Sequence, residues 1–292
     1  MAVVESKMAV AKNVLRVSMN FIGRPFGGDV SRASGKKNQV CNRASLAFSG
    51  LPMVLIGILY WSMTNKISDE DFAATGWLST LPDPVRGSVL EKARWRTFGP
   101  GDTVYASGAA GNTLWGIGSG TIKMYISAGE EHMRFCHAVG PGYWFGELEL
   151  LLDLPRVIEM RTAGNARLLC LQEQDLNKIA EEYPALWRAV ARLAATNEAL
   201  AIAAVDDLML RDPRKRLAAT LLRLSGLRWD FQGKRDLPVV PVTLVELAEV
   251  ANLSRSVAAK LVAEFVAEGM VAKEYGRLRI DRPDRLELVL QS

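Results

Sequence analysis

The sequence predicts an α+β chain: an antiparallel β-roll of jelly-roll type, then one long helix, then a C-terminal winged helix-turn-helix. Three observations carry this. An apolar-Gly-Pro-Gly corner occurs twice, in FGPGDTVY at 98–105 and in VGPGYWFG at 139–146. After Pro184, the residues Leu186, Val190, Leu193, Asn197, Leu200 and Ala204 recur at alternating steps of four and three. From Val242 to Ile280, a capping-box sequence, a tight turn, a two-faced helix and a short hairpin follow one another.

Composition sets the bounds. With 292 residues, 49% of them hydrophobic, the chain has enough apolar material for one large core or two ordinary ones. A net charge of only +4 means that binding to nucleic acid must come from a local basic surface, not from the field of the whole molecule. Cys41, Cys136 and Cys170 are odd in number and far apart, which fits reduced thiols and supports neither a disulfide framework nor a four-thiolate cluster. His132 and His137 are too few for a site built from three imidazoles, and on a strand their opposite parity points them to opposite faces. They read as structural or surface residues, with a haem ligand as the alternative.

Residues 1–75 differ from the rest and are expected to stand outside the fold. Between residues 6 and 43 the basic residues Lys7, Lys12, Arg16, Arg24, Arg32, Lys36, Lys37 and Arg43 face the single acid Asp29. Ala44 to Asn65 carries no charge, so a membrane span over 44–65 is one reading. Its flanks oppose it: the cations lie before the span and Asp69, Glu70 and Asp71 lie after it, which would send everything downstream out of the cytoplasm. A non-native upstream extension, with Met53 or Met63 as the true start, is the preferred reading over an anchor or a targeting segment.

The β-roll is expected over 76–183. Glycines interrupt it at short intervals, and between them lie alternating runs such as TIKMYIS, with Ile122, Met124 and Ile126 on one face. Repeating the Gly-Pro-Gly corner about 40 residues apart suits two similar halves of a rolled sheet. The long helix, 184–211, carries an a/d seam narrow enough for a partner helix. Its polar member Asn197 is of the type that fixes register and two-strandedness. An amphipathic helix packed on its own roll satisfies the same spacing. Asp212-Pro213 supplies an N-cap and a first-turn proline, opening the last domain at 212–292.

Within that domain Thr243-x-x-Glu246 reads as a capping box, Asn252 as the turn, and Ser254 as the cap of a second helix. Ala258, Leu261, Val262 and Phe265 share one side of this helix. The other side presents Arg255, Ser256, Ala259, Lys260 and Ala263, a narrow polar face that a DNA major groove admits. The run MVAKEYGRLRI reads as a wing turning at Tyr275-Gly276, with Leu278 and Ile280 inward and Arg277 and Arg279 outward toward phosphate.

In this order the parts resemble the CRP/FNR family of bacterial transcription regulators, over about three quarters of the chain. Gly146-Glu147-Leu148 followed by Arg156 is similar to the family's phosphate-binding cassette. Ser254-Arg255 with Lys260 is similar to the start of its recognition helix. The resemblance implies a β-roll sensor that binds an effector, a dimerisation helix and a DNA-binding domain. In members that bind a cyclic nucleotide, the cassette Glu accepts from the ribose hydroxyl and the Arg pairs with the cyclic phosphate, helped by a Ser or Thr directly after it.

Two departures disfavour cyclic AMP. Val157 stands in the hydroxyl's place, at a cost of about 1 to 3 kcal/mol. Ala201-Ile202 stands where adjacent hydroxyl residues would meet the adenine. Together they lower affinity about a hundredfold or more, at about 1.4 kcal/mol per decade. Two readings of the cassette remain open: Glu147 and Arg156 as an internal ion pair supporting the roll, or binding of another small molecule. The expectation is a homodimeric, sequence-specific DNA-binding regulator in the cytoplasm. Double-stranded DNA with an inverted-repeat site is its partner, RNA polymerase a further candidate, and neither a metal nor catalysis is expected. A membrane-tethered or ligand-only sensor using 44–65 is the alternative.

Overall fold

The computed structural model describes residues 72–127, 133–228 and 239–292, so Cys41, His132 and the span 44–65 lie outside the described residues. No helix among the described residues is long and apolar enough to cross a membrane.

The roll consists of two four-stranded antiparallel sheets. One has the order β1 (Arg94–Phe98), β8 (Ala166–Gln172), β3 (Thr113–Ser119), β6 (Trp144–Phe145). The other has the order β2 (Thr103–Tyr105), β7 (Ile158–Thr162), β4 (Ile122–Ser127), β5 (Met133–Val139). Their inner faces share a core that includes Trp115, Ile117, Ile122, Phe145, Met160 and Leu168. The repeated corner is real: Gly101 and Gly142 adopt φ of 81° and 84°, which a side chain resists, the turns close through Asp102 N to Gly99 O and Tyr143 N to Gly140 O, and the glycine N–H groups tie each corner to Thr162 O and Ile117 O. The alternation expected in β4 buries Ile122 and Met124, whereas Ile126, still paired with Ile158 of β7, is exposed near the strand end.

A short 3-10 turn (Gly76–Thr80) and α1 (Asp83–Lys92) precede the roll. Phe72 is fully buried and packs its ring on Trp95 and Trp144, so the packed chain starts ahead of residue 76. After the roll come α2 (Glu147–Leu152), inserted between β6 and β7, then α3 (Glu173–Glu182) and α4 (Ala185–Met209).

The seam expected on α4 turns inward. Leu186, Val190 and Leu193 are buried in the core that holds Phe72, Trp77, Leu78 and Trp144, and Trp77 Nε1 donates to Ala189 O at 2.8 Å. Spacings of four and three define a helix face, not what covers it, and here the roll covers it. Asn197 donates to Trp144 O (3.2 Å) and Glu147 Oε1 (2.8 Å) of the same chain, Leu200 packs against the roll, and Ala204 is half-buried. The large apolar residues that α4 leaves exposed are Ile202, Val205, Leu208 and Met209.

The last domain contains α5 (Pro213–Leu224), α6 (Leu244–Val250), α7 (Arg255–Ala267) and α8 (Pro283–Gln291). Its sheet has the order β10 (Val271–Glu274), β11 (Arg277–Ile280), β9 (Val239–Val240). Asp212 caps α5 by accepting from Arg214 N at 2.8 Å. Charged side chains join this domain to the rest. On the long helix the buried Asp207 accepts from Arg223 Nε (2.9 Å) and faces Arg228 (3.0 Å). On the roll, Lys123 donates to both oxygens of Glu246 (2.7 and 2.9 Å).

Candidate functional site

The cassette forms a cradle around Arg156, and the partner that the cation takes is Glu149 rather than Glu147. Chain reversal after α2 brings Arg156 back under the helix: its Nη1 donates to Glu149 Oε2 and to Gly146 O, each at 3.0 Å. Its Nη2 donates to Thr113 O (2.5 Å) and Thr113 Oγ1 (2.7 Å), and the guanidinium lies over the Tyr105 ring at 4.3 Å. The second carboxylate oxygen of Glu149 accepts from the backbone N–H of Val157 at 3.1 Å. Both charged side chains are closed off from solvent, at 0% and 3% exposure, where breaking the pair leaves a buried charge uncompensated. Only glycine fits at 146, where φ is +96° and a Cβ would stand 2.8 Å from Arg156 Nη1.

Glu147 takes a different part. It is buried, its Oε1 accepts from Asn197, and its Oε2 has no hydrogen-bond partner among the described residues. Burial pushes its carboxyl above the usual range, against the pull of the Asn197 bond. In front of it lies a cavity of about 650 Å³ between α2, α4 and the inner sheet faces, walled by Tyr105, Met124, Tyr143, Phe145, Ile158 and several α4 alanines. Of the expected pocket residues, Gly146, Glu147, Leu148, Val157 and Ala201 line this cavity. Arg156 lies behind the wall, screened by Glu149, and Ile202 is 62% exposed and does not line the cavity. Glu149, Thr113 and Tyr105 were not expected. The one visible signal was an acid inside the otherwise apolar run LELLL.

The helix-turn-helix is built as its sequence implies. Thr243 Oγ1 accepts from Glu246 N at 3.2 Å while Glu246 Oε2 accepts from Thr243 N at 2.8 Å. Asn252 adopts φ of 49° in the turn, and Ser254 Oγ accepts from Val257 N at 3.3 Å. Arg216, which sequence reasoning missed, pins this turn by donating to Ala251 O (2.8 Å) and Leu210 O (2.6 Å). Ala258, Leu261, Val262 and Phe265 are buried. Ser254, Arg255, Ser256 and Lys260 are exposed, with Ala259 half-buried beside them, and Arg255 and Lys260 have no acceptor among the described residues.

The wing requires a correction. Leu278 and Ile280 point inward as expected, but Arg277 and Arg279 do not stand free: Glu274 pairs with both, and Asp281 accepts from Arg279 Nε at 2.6 Å. Acids two to five residues away on the hairpin lie within reach of each guanidinium, so phosphate must compete with carboxylate there.

Among the described residues no cluster of His, Cys, Asp and Glu is arranged to hold a metal. Burial raises the Cys136 thiol to about 11, well away from a reactive thiolate. His137 faces Arg223 at 3.5 Å, at the junction between the roll and the last domain.

Comparison with known proteins agrees with both halves. Residues 95–183 match the cyclic nucleotide-binding domain, and residues 215–289 match the Crp-like helix-turn-helix domain. The CRP-like cAMP-activated global transcriptional regulator of Mycobacterium tuberculosis is 27% identical over 223 residues, 75% of this chain and 97% of that protein. The cyclic AMP receptor protein of Thermus thermophilus is 27% identical over 194 residues, 66% of this chain and 86% of that protein. Among solved structures, the c-di-GMP responsive global regulator CLP of Xanthomonas campestris superposes with a TM-score of 0.54 at 18% identity, over 68% of this chain and 99% of that one. A β-roll carrying the cassette and a fully capped helix-turn-helix thus stand in one chain, and that chain belongs to the CRP/FNR family of DNA-binding transcription regulators.

Proposed function

We propose that this regulator works as a homodimer in the cytoplasm and reads an inverted-repeat DNA site through Ser254, Arg255, Ser256, Ala259 and Lys260, with Arg277 and Arg279 of the wing on phosphate. The exposed polar face of α7 carries the reading: its helix is capped at the start, pinned at the turn by Arg216, and seated on a buried apolar face. Arg255 lies in the first turn, where a guanidinium reaches guanine O6 and N7 with two hydrogen bonds. The dimer contact that fits best is the outer face of α4, where Ile202, Val205, Leu208 and Met209 are exposed at helical spacing, and its occupant is a second copy of the chain. Two-fold symmetry in the protein then becomes an inverted repeat with half-sites about one helical turn apart.

The cavity beside Glu147 is the effector pocket in this reading, and cyclic AMP is a poor occupant. Val157 contributes no hydroxyl, and Ala201 offers the adenine none. RNA polymerase remains a partner of the kind that a DNA-bound regulator meets. The test is selection from randomised DNA, followed by binding curves for the intact chain and for Arg255→Ala. An inverted repeat with altered base preference in the variant supports the reading, and a site without two-fold symmetry contradicts it.

A further inference from the structure

Arg156 and the Val157 N–H converge on one point, and a carboxylate already sits there. Glu149 receives the guanidinium on one oxygen and the backbone N–H on the other. A charged donor and a backbone amide aimed at two oxygens of one group make an anion receptor. The remaining Arg156 amino donors go to Thr113 and Gly146, and its Nε is buried with no hydrogen-bond partner among the described residues. Glu149 forms part of the cavity wall, and Arg156 does not. Among the residues that line the cavity, the buried polar atoms with no hydrogen-bond partner among the described residues are Glu147 Oε2, an acceptor when ionised, and the Tyr105 hydroxyl. The rest of the wall is largely aromatic and aliphatic.

We infer that Glu149 is the resident anion of this cradle, and that the cavity takes an uncharged, largely apolar ligand carrying a hydroxyl or amine donor for Glu147, not a phosphate-bearing one. The inference rests on the reading of this cavity as the effector pocket. A ligand phosphate entering it meets the carboxylates of Glu147, Glu149 and Glu198, and the Arg156 guanidinium behind the wall is already paired with Glu149. To bind there, it has to displace Glu149 from both donors. The walls leave room for a planar or aliphatic body, and the Glu147 oxygen rewards a donor at its edge.

The test uses the full-length chain, with calorimetric titrations of cyclic AMP and of adenosine, which lacks the phosphate. The proteins are the unmodified chain, Glu149→Ala and Glu149→Gln. Removing the resident carboxylate opens the receptor, so Glu149→Ala gains about tenfold or more in cyclic AMP affinity, while adenosine changes by less than about threefold. Glu149→Gln shifts in the same direction by less, because its amide still fills the seat, and it decides the matter if the alanine variant fails to fold. The unmodified chain binds adenosine at least as well as cyclic AMP. Three results overturn the inference: cyclic AMP binding unchanged in a folded Glu149 variant, an equal gain for adenosine, or a preference of the unmodified chain for cyclic AMP. DNA binding measured on the same preparations shows separately whether the regulator reading holds.

Discussion

Arg156 and Arg255 are the same side chain in opposite situations. Arg156 is fully buried, and its partners come from β3, from the cap of α2 and from within α2, at residues 113, 146 and 149. Arg255 is exposed on the first turn of α7, with no acceptor among the described residues. The first is consumed by its own chain and holds a loop in place, whereas the second is available to something outside. An arginine in a family motif therefore indicates where a ligand site lies in the fold, and the neighbours decide whether the charge is still on offer.

The largest effect expected from breaking this contrast is on Arg156. Arg156→Ala leaves Glu149 ionised and buried without its cation, and should lower stability by about 3 to 5 kcal/mol, read from urea unfolding midpoints. Arg255→Ala should leave the unfolding curve unchanged and cost about 1 to 3 kcal/mol per half-site in DNA binding, with preference relaxed at one position. An Arg255 variant that unfolds early would erase the distinction.

Glu246 sharpens the comparison, because it serves a local motif and a long-range contact together. It closes the capping box and receives Lys123 from the roll. Burial raises its pKa, but the hydrogen bonds from Lys123 and Thr243 outweigh that and hold the carboxyl below the usual range. A depressed folded pKa means stability that is present above the unfolded carboxylate pKa and lost as pH falls through the folded one. Glu246→Gln should cost about 1 to 2 kcal/mol near neutrality, and the two unfolding curves should draw together in acid. Curves that stay equally separated down to the acid limit would show that the ion pair contributes nothing.

Glu147 has the opposite sign. Burial raises its folded pKa, so its ionised form costs stability as pH rises from the unfolded value through the folded one. Glu147→Gln keeps an oxygen for Asn197 and removes the charge, and should raise stability near neutrality by about 1 kcal/mol. Below the unfolded carboxylate pKa the two proteins should coincide. The smallest effect belongs to the wing: Glu274→Gln frees Arg277 and Arg279 from a competing carboxylate and should strengthen binding to all DNA sequences alike by about 1 kcal/mol or less, checked by anisotropy at several salt concentrations.

Legibility in the sequence follows the same division. The capping box, the Asn252 turn, the Ser254 cap and the inward face of α7 were readable because each partner lies within a few residues. The Gly-Pro-Gly corners were readable because φ near +80° selects glycine. The inward turn of Leu186, Val190 and Leu193 was not readable, since helical spacing carries no information on what covers a face. Nor was the choice of Glu149 over Glu147, because α2 is short and the loop back to Arg156 decides which carboxylate arrives. The wing carboxylates stand in the sequence beside their arginines, and a hairpin brings Glu274 against both Arg277 and Arg279.

The central claim is that the cradle is closed to anions while the α7 face is open to DNA. It is tested most directly by titrating the unmodified chain with its selected inverted repeat, with and without millimolar cyclic AMP. The account predicts binding at the same affinity in both titrations, whereas an increase of about tenfold or more on adding cyclic AMP would contradict it.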